Sequence, residues 1–294
     1  MIINKIMKKT KIDKTKVKKK VKQNQTTGLK RKTIDKYYTS SNAVKKCMEL
    51  IQQNIQINKD DLCIEPSAGN GSFIENIKSI FKDYKFYDLE PEHSEIIKQD
   101  YLIFDYSKLI KDNKIHVIGN PPFGRQSSLA IKFIKKSCEF CDTISFILPK
   151  SFKKDSLKKS FPLKFHLECE YDLPDNSFMV NNTSYDVPCV FQIWVKKDTE
   201  RIAPPKLVPN KYKFVKKEEN HHISFRRVGV NAGDIDRNTE KKSTQSHYFI
   251  KFDTILTDEL FDKLSNINHS GKDNTVGPKS ISKQELIKEF NLIF

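Results

Sequence analysis

Two short glycine-containing stretches, each directly after an apolar strand-like run, constrain the fold more than any other feature of this sequence. The runs are Leu62–Ile64 and His116–Ile118, and the stretches are residues 65–71 and 119–124. Glycine is scarce, with nine in 294 residues, so a pair of glycines at each of two strand ends needs a structural reason. A strand that turns on glycine into a helix predicts an α/β unit whose backbone can approach a ligand closely.

Strand-like and helix-like apolar patterns alternate from residue 42 to residue 196. The predicted strands are 62–64, 85–87, a short element within 96–103, 116–118, 143–148 and 187–196, and the predicted helices are 42–51, 73–81, 127–140 and 151–160. This alternation predicts an α/β fold with a mostly parallel sheet, helices on both faces and a site at the carboxyl ends of the strands. We expect Val187–Lys196 to be an antiparallel edge strand.

The positive charge is concentrated at the start of the chain. The net charge is +16, and residues 1–36 carry 14 Lys and Arg against Asp13 and Asp35, which amounts to +12. Such a segment lacks the periodicity of a core element, so we expect a basic, disordered arm over residues 1–36. It could attract nucleic acid without regard to sequence, act as a nuclear address, or be a solvated tail.

A change of composition near residue 200 divides the remainder. Prolines 204, 205 and 209 follow the alternating pattern, and residues 211–252 are strand-like but polar. We therefore expect one domain over residues 37–200 and a smaller C-terminal region over residues 201–294. The latter contains a polar linker, residues 268–278, and a last helix that begins at the capping box Ser282 to Glu285.

The sequence contains neither a candidate membrane span nor a secretory signal. No apolar run approaches the roughly 18 residues of a membrane span, and the lysine-rich start does not resemble a secretory signal. We expect an intracellular protein with no membrane partner, either cytoplasmic or nuclear.

The six cysteines are interpreted as free thiols. Cys138 and Cys141 lack a second pair of ligands at metal-binding spacing, so we expect no metal.

The second glycine-containing stretch, Gly119-Asn120-Pro121-Pro122-Phe123-Gly124, has the chemistry of a holder for a planar amine. Two consecutive prolines fix the backbone and remove two N–H donors. The side-chain oxygen of Asn120 and the main-chain oxygen of Pro121 can then accept from one NH2 group, and Phe123 offers a ring face for stacking. A rigid turn that closes a strand is the other interpretation of this stretch.

The first stretch, residues 65–71, suits a nucleoside cofactor that lies against a turn and the start of the next helix. Its glycine spacing departs from the dinucleotide fingerprint, and a purely structural turn would look similar. Asp88 follows the next strand, 17 positions after Gly71, close to where such folds hold ribose hydroxyls. Asp100 ends the element after that. Taken singly, each carboxylate could equally be a cap or turn residue.

Together these motifs resemble the amino-methyltransferases of the S-adenosylmethionine-dependent, class I Rossmann-like superfamily. The resemblance covers about residues 37–196. It implies a cofactor-binding set made of Tyr38, Thr39, Glu65, Pro66, Ser67, Ala68, Gly69, Gly71, Asp88, Asp100 and Asn120, and a catalytic motif made of Asn120, Pro121, Pro122 and Phe123. Ser40 stands where this family usually has proline. The motif order is similar to that of adenine-N6 enzymes, in which substrate recognition lies on the C-terminal side.

The resemblance implies a methyltransferase that acts on the N6 amino group of adenine in DNA, with S-adenosylmethionine as cofactor and nucleic acid as partner. RNA adenine-N6 methylation is the alternative, since the basic arm fits both polymers. Protein-glutamine methylation is disfavoured by Phe123, where those members usually carry tyrosine. A catalytically silent nucleic-acid-binding subunit has no chemical need for the complete motif set. Phe178 is the candidate for a second stacking ring, in a segment (residues 173–182) that could cover the pocket or simply connect two elements.

Overall fold

The computed structural model describes residues 37–109, 113–180 and 183–294. The predicted basic arm, residues 1–36, lies outside them. In chain order the elements are β1 (Tyr38–Thr39), α1 (Ser41–Asn54), β2 (Leu62–Glu65), α2 (Ile74–Ile80), β3 (Asp83–Asp88), β4 (Ile97–Lys98), β5 (Ile115–Gly119), α3 (Ser128–Cys138), β6 (Thr143–Pro149), α4 (Asp155–Lys158), β7 (Phe165–Asp172), β8 (Phe178–Val180), β9 (Thr183–Tyr185), β10 (Cys189–Lys196), β11 (Tyr212–Val215), β12 (Ile223–Arg226), β13 (Ile235–Asp236), β14 (His247–Phe252), α5 (Asp258–Ser265) and α6 (Lys283–Phe290).

The largest sheet has seven strands in the order β4-β3-β2-β5-β6-β10-β7. The pairs from β4 through β6 are parallel, and β10 runs antiparallel to both of its neighbours. Every residue of β2, β5 and β6 is buried, as expected of parallel strands that helices cover on both faces. The predicted α/β fold with a mostly parallel, Rossmann-like sheet is confirmed.

The prediction that Val187–Lys196 lies at the edge of the sheet is wrong. It forms β10, which is antiparallel as expected but lies between β6 and β7. Its first six residues are buried, whereas the outer strand β7 alternates between more and less exposed residues. A strand whose alternate side chains are solvated can lie at the edge of a sheet, whereas a strand that is apolar on both faces is buried in the interior of the sheet.

Helices cover both faces of this sheet because successive strand residues point to opposite sides. Cys63 of β2 packs in the cluster that contains α1 and α2, and its neighbours Leu62 and Ile64 pack in the cluster that contains α3. The start of α1 is capped by Ser40, whose hydroxyl oxygen accepts from the Ala43 amide at 3.4 Å. Ser40 therefore has a helix-capping role.

The C-terminal region contains a second sheet, with four antiparallel strands in the order β11-β14-β12-β13. This sheet and helices α5 and α6 share a separate apolar cluster. The capping box predicted at the start of α6 is present, with Ser282 and Glu285 in reciprocal bonds. Lys154, just before α4, donates to the carbonyl of Ser280 at 2.7 Å and contacts a carboxylate oxygen of Glu285 at 3.2 Å. This contact ties the C-terminal region to the segment that follows β6.

None of the helices in the part of the chain that the structure describes is both long enough and apolar enough to cross a membrane.

Candidate active site

Asn120 directly follows β5, and its side-chain amide is held in one orientation. The amide nitrogen donates to the Tyr37 carbonyl and to the Thr39 hydroxyl, at 3.3 Å in both cases. A carbonyl can only accept, so the nitrogen must face Tyr37 and the oxygen Oδ1 must face away from it. Oδ1 is buried and has no hydrogen-bond partner among the described residues. A buried acceptor without a donor is costly, and an N–H group of a ligand would satisfy it.

The residues after Asn120 hold the site by backbone geometry. Pro121 is buried, and Phe123 is half-buried against the apolar cluster under α1. Gly124 has φ 68° and ψ 178°, and Gln126 and Ser127 also have positive φ values of 53° and 62°. Three residues with positive φ within four positions make a tight turn into α3. This turn fixes the direction in which the predicted catalytic motif leaves the sheet.

The predicted cofactor turn is bonded to the neighbouring strand. The amide of Ala68 donates to the Tyr87 carbonyl at 2.9 Å, and the amide of Gly69 donates to the Asp88 carboxylate at 2.8 Å. Gly71 has φ +82°, and a Cβ there would lie 2.7 Å from Cδ1 of Ile74. The turn therefore requires glycine at position 71.

Two further contacts bring this turn to Asn120 and to β1. The Ser67 hydroxyl donates to the main-chain oxygen of Asn120 at 3.2 Å. The ring of Tyr38 lies over Gly69, where a Cβ would approach it to 3.5 Å, and the Tyr38 hydroxyl donates to the Glu92 carboxylate at 2.7 Å. Residues predicted from three separate motifs thus meet at the carboxyl ends of β2, β3 and β5.

Asp88 and Asp100 differ in how their carboxylates are used. Asp88 ends β3 and accepts from the amides of Gly69 and Glu90, at 2.8 Å each. Asp100 accepts from the Leu102 amide at 2.9 Å and caps the short 3-10 helix Tyr101–Ile103. Each carboxylate retains lone pairs for a ligand. For Asp100 the capping role alone explains the residue type.

Glu65 at the end of β2 is a buried carboxyl. Its side chain packs against Gly119, where a Cβ would lie 3.3 Å from its Cγ, and the residue is 2% exposed. Oε2 finds no hydrogen-bond partner in the described residues. Burial, and then the nearby charge of Asp88, raises the pKa of Glu65 to about 8. A cationic ligand beside this carboxyl would favour the ionised form.

The structure does not support Phe178 as a second stacking ring. Phe178 is 1% exposed and packs in the apolar cluster under α1, so its faces are closed to a ligand. The exposed ring near the site is Tyr185, which is 48% exposed and stacks on Tyr37 with centroids 5.4 Å apart. The main-chain oxygen of Tyr37 is the acceptor for Asn120. Sequence reasoning missed Tyr185 because nothing in the sequence signals that β8 and β9 join β1 in a three-stranded sheet.

Within the segment over residues 173–182, Phe178–Val180 form strand β8 of that sheet. Its strand β8 pairs with β1, so that Thr39 lies opposite Phe178. The amide of Ser40 also donates to the Ser177 carbonyl at 2.9 Å. Residues 181–182 lie outside the described part of the chain. The segment therefore supports the strand that orients Asn120.

In residues 37–109, 113–180 and 183–294, no three His, Cys, Asp or Glu side chains are grouped so that they could hold a metal ion. All six cysteines are free thiols. The candidate site therefore consists of polar side chains, prolines, glycines and rings.

The chain matches no family model. Over 128 residues it is 29% identical to the protein ENHANCED DOWNY MILDEW 2 of Arabidopsis thaliana, a match that covers 42% of this chain and 9% of the other. This chain therefore spans under a tenth of the length of that curated relative.

Several solved structures are similar to part of this chain. A "putative RNA methyltransferase" of Pyrococcus horikoshii is 15% identical with a TM-score of 0.45, over 58% of this chain and 92% of that one. A 23S rRNA methyltransferase is 12% identical with a TM-score of 0.41, over 55% and 71%. A modification subunit of a "putative type I restriction enzyme" of Vibrio vulnificus is 14% identical with a TM-score of 0.41, over 55% and 44%.

Proposed function

We propose that this protein transfers a methyl group from S-adenosylmethionine to the N6 amino group of adenine in DNA. The single observation that carries the proposal is the buried side-chain oxygen of Asn120, which has no hydrogen-bond partner among the described residues. The side-chain nitrogen of Asn120 fixes its orientation by donating to Tyr37 and Thr39, at 3.3 Å each. An exocyclic amine has the N–H donors that this oxygen lacks. The glycine turn that contacts Asn120 through Ser67 supplies a surface for the cofactor next to that acceptor.

The residues present fit S-adenosylmethionine. Asp88 has acceptor capacity for ribose hydroxyls, and Oε2 of Glu65, which has no hydrogen-bond partner among the described residues, suits a positive charge. The ring of Tyr38, which lies over Gly69, would form one wall of the cofactor site. When bound, this cofactor supplies an electrophilic methyl group on a sulfonium.

The chain's own contribution is to hold and orient the amine. Adenine N6 is a weak nucleophile because its lone pair is delocalised into the ring. Hydrogen bonds from N6 to Asn120 Oδ1 and to the Pro121 carbonyl would concentrate electron density on nitrogen and stabilise the positive charge that develops there. Phe123 would stack on the base, and the fixed geometry lowers the barrier through proximity and orientation. No strong base is required, since the amine proton can pass to water.

Substrate class is tested by transfer of labelled methyl from S-adenosylmethionine to double-stranded DNA, single-stranded DNA and RNA of matched sequence. Label in DNA supports the proposal. A duplex target must first be flipped out of the helix at a cost of about a few kcal/mol, so we expect single-stranded or mismatched DNA to react faster. Label in RNA alone would favour the RNA enzyme, and cofactor binding without transfer to any polymer would favour a protein substrate or a silent subunit.

Binding of S-adenosylmethionine should release a proton from Glu65. Its pKa of about 8 makes the free carboxyl mostly neutral at pH 7. The cofactor is a cation, so binding should stabilise the carboxylate and lower that pKa. We therefore expect nearly one proton released per cofactor at pH 7, and an affinity that rises with pH until about pH 8. Calorimetry in two buffers of different ionisation enthalpy measures this.

The matched control is Glu65→Gln, which keeps the size and removes the titration. Its proton release should fall to near zero. Wild-type binding that releases no proton at pH 7 would contradict the proposed position of the cofactor beside Glu65.

Removal of residues 1–36 should weaken nucleic-acid binding and flatten its salt dependence. The segment carries +12 of the net charge of +16, and cations that neutralise phosphates release counterions. Affinity for a DNA duplex at several salt concentrations gives the slope of log K against log salt for the full and shortened chains. An unchanged slope would show that the segment makes no phosphate contacts, while cofactor affinity serves as the control for folding.

A further inference from the structure

The C-terminal region presents a lysine ammonium between two aromatic rings. Lys283 is the first residue of α6, and its Nζ lies 4.7 Å from the ring centroid of Phe214 and 5.5 Å from that of Tyr248. The two rings meet edge to face with centroids 5.5 Å apart. No carboxylate of the described residues forms an ion pair with Lys283, whereas several lysines of the larger domain, such as Lys78 and Lys153, form one. Its charge is therefore available to a ligand.

These three side chains line a surface pocket of about 250 Å³, located where β11 ends and β14 begins. Lys216 and Lys217 also line it, against one acidic residue, Glu218. Lys217 is fixed by bonds from its Nζ to the main-chain oxygens of Glu240 and Lys242, at 2.7 and 2.8 Å. The pocket is thus positively charged and walled by rings on one side.

The pocket includes the start of α6, which contacts the segment that follows β6 in the larger sheet. Lys154 binds both Ser280 and Glu285 around the start of α6. It follows β6, whose carboxyl end lies beside that of β5 in a parallel pair. Asn120 leaves the sheet at the same edge. A polymer bound at the candidate active site would therefore have a second contact surface on this side of the molecule.

We propose that this pocket binds a nucleotide of the nucleic-acid substrate other than the one to be methylated, with its phosphate on Lys283 and its base against Tyr248 or Phe214. The inference builds on the proposed function. Cations next to aromatic faces are the combination that binds single-stranded nucleic acid, because every base has a face that can stack. A charge-assisted bond to phosphate is stronger than an exposed cation–π contact, so the Lys283 ammonium can leave the rings. The Arg227 guanidinium, 5.5 Å from the Tyr248 centroid, is a second cation that a phosphate can draw from that ring.

The test is binding of a fluorescent 12-nucleotide single strand to the full chain in the presence of S-adenosylhomocysteine, at several salt concentrations. Lys283→Gln should weaken binding severalfold and lower the salt slope by about 0.7, the value for one single-strand phosphate. Tyr248→Ala should weaken binding between about fivefold and about 150-fold, and Tyr248→Phe should keep most of the affinity. The matched control is Lys288→Gln, an exposed lysine on the same helix, for which we expect little change.

Equal losses for Lys283→Gln and Lys288→Gln would overturn the pocket, as would a wild-type chain that does not bind the strand. If Tyr248→Ala fails to fold, the two lysine variants decide the question. An acidic peptide that displaces the strand at equal charge concentration would also overturn the proposal, in favour of a protein partner. Methyl transfer to the same strand, measured separately, distinguishes failure of the pocket from failure of the proposed function.

Discussion

Replacement of Asn120 by alanine should reduce methyl transfer by about a hundredfold to a thousandfold, the usual loss when one preorganised polar group is removed from an active site. The variant lacks the buried Oδ1 that would accept from the amine. The main-chain oxygen that Ser67 contacts is unchanged, so the cofactor turn should persist. We therefore expect the affinity for S-adenosylmethionine to stay within about threefold while single-turnover transfer falls.

The matched control is Asn120→Asp, which keeps an acceptor oxygen of nearly the same size and loses the donor to Tyr37 and Thr39. It should retain more activity than the alanine variant. An alanine variant with wild-type turnover would remove the amine-holding role. A variant that fails to bind cofactor would show instead that Asn120 supports the cofactor site itself.

Replacement of Gly124 by alanine should lower the free energy of unfolding by about 2 to 5 kcal/mol. Gly124 has φ 68° and ψ 178°, a region of backbone space that glycine alone occupies readily. An added Cβ would lie 2.8 Å from Cγ and 3.1 Å from the main-chain nitrogen of Leu129. The main-chain contact cannot be relieved by a side-chain rotation, so the turn after the proposed catalytic motif must shift. Denaturant unfolding measures the stability, and methyl transfer should fall with it.

Gly277→Ala is the control for this substitution. No atom lies within 4 Å of a Cβ at Gly277, so its stability should change by less than about 0.5 kcal/mol. Equal stability of the two variants would contradict the strained geometry at Gly124.

The order of strands and helices was predictable because the inner strands are continuously apolar and the helices are periodic. Glycines 69, 71, 119 and 124 were informative because each has a positive φ. The position of β10 was not predictable, since an apolar run reports burial and not which strand lies next to it. The outer strand β7 was not predicted, because its alternation of apolar and polar residues is too weak to indicate a strand.

The candidate site was predictable as a set of residues but not as a set of contacts. Asn120 and Thr39 were identified separately, whereas the bond between them depends on β1 pairing with β8, a contact between distant segments. Phe178 and Tyr185 are partners across β8 and β9, and the sequence does not show which of them is buried. Lys283 and Phe214 were missed because their contact joins segments about seventy positions apart in the chain.

The most direct test of the account is the chemical identity of the methylated product. DNA labelled with isotopic methyl from S-adenosylmethionine is digested to nucleosides, and each labelled nucleoside is identified by mass spectrometry against standards. The account predicts N6-methyladenine in the wild-type reaction and its loss with Asn120→Ala. Methyl groups found instead on a ring carbon or on another base nitrogen, or DNA that carries no labelled nucleoside, would contradict it.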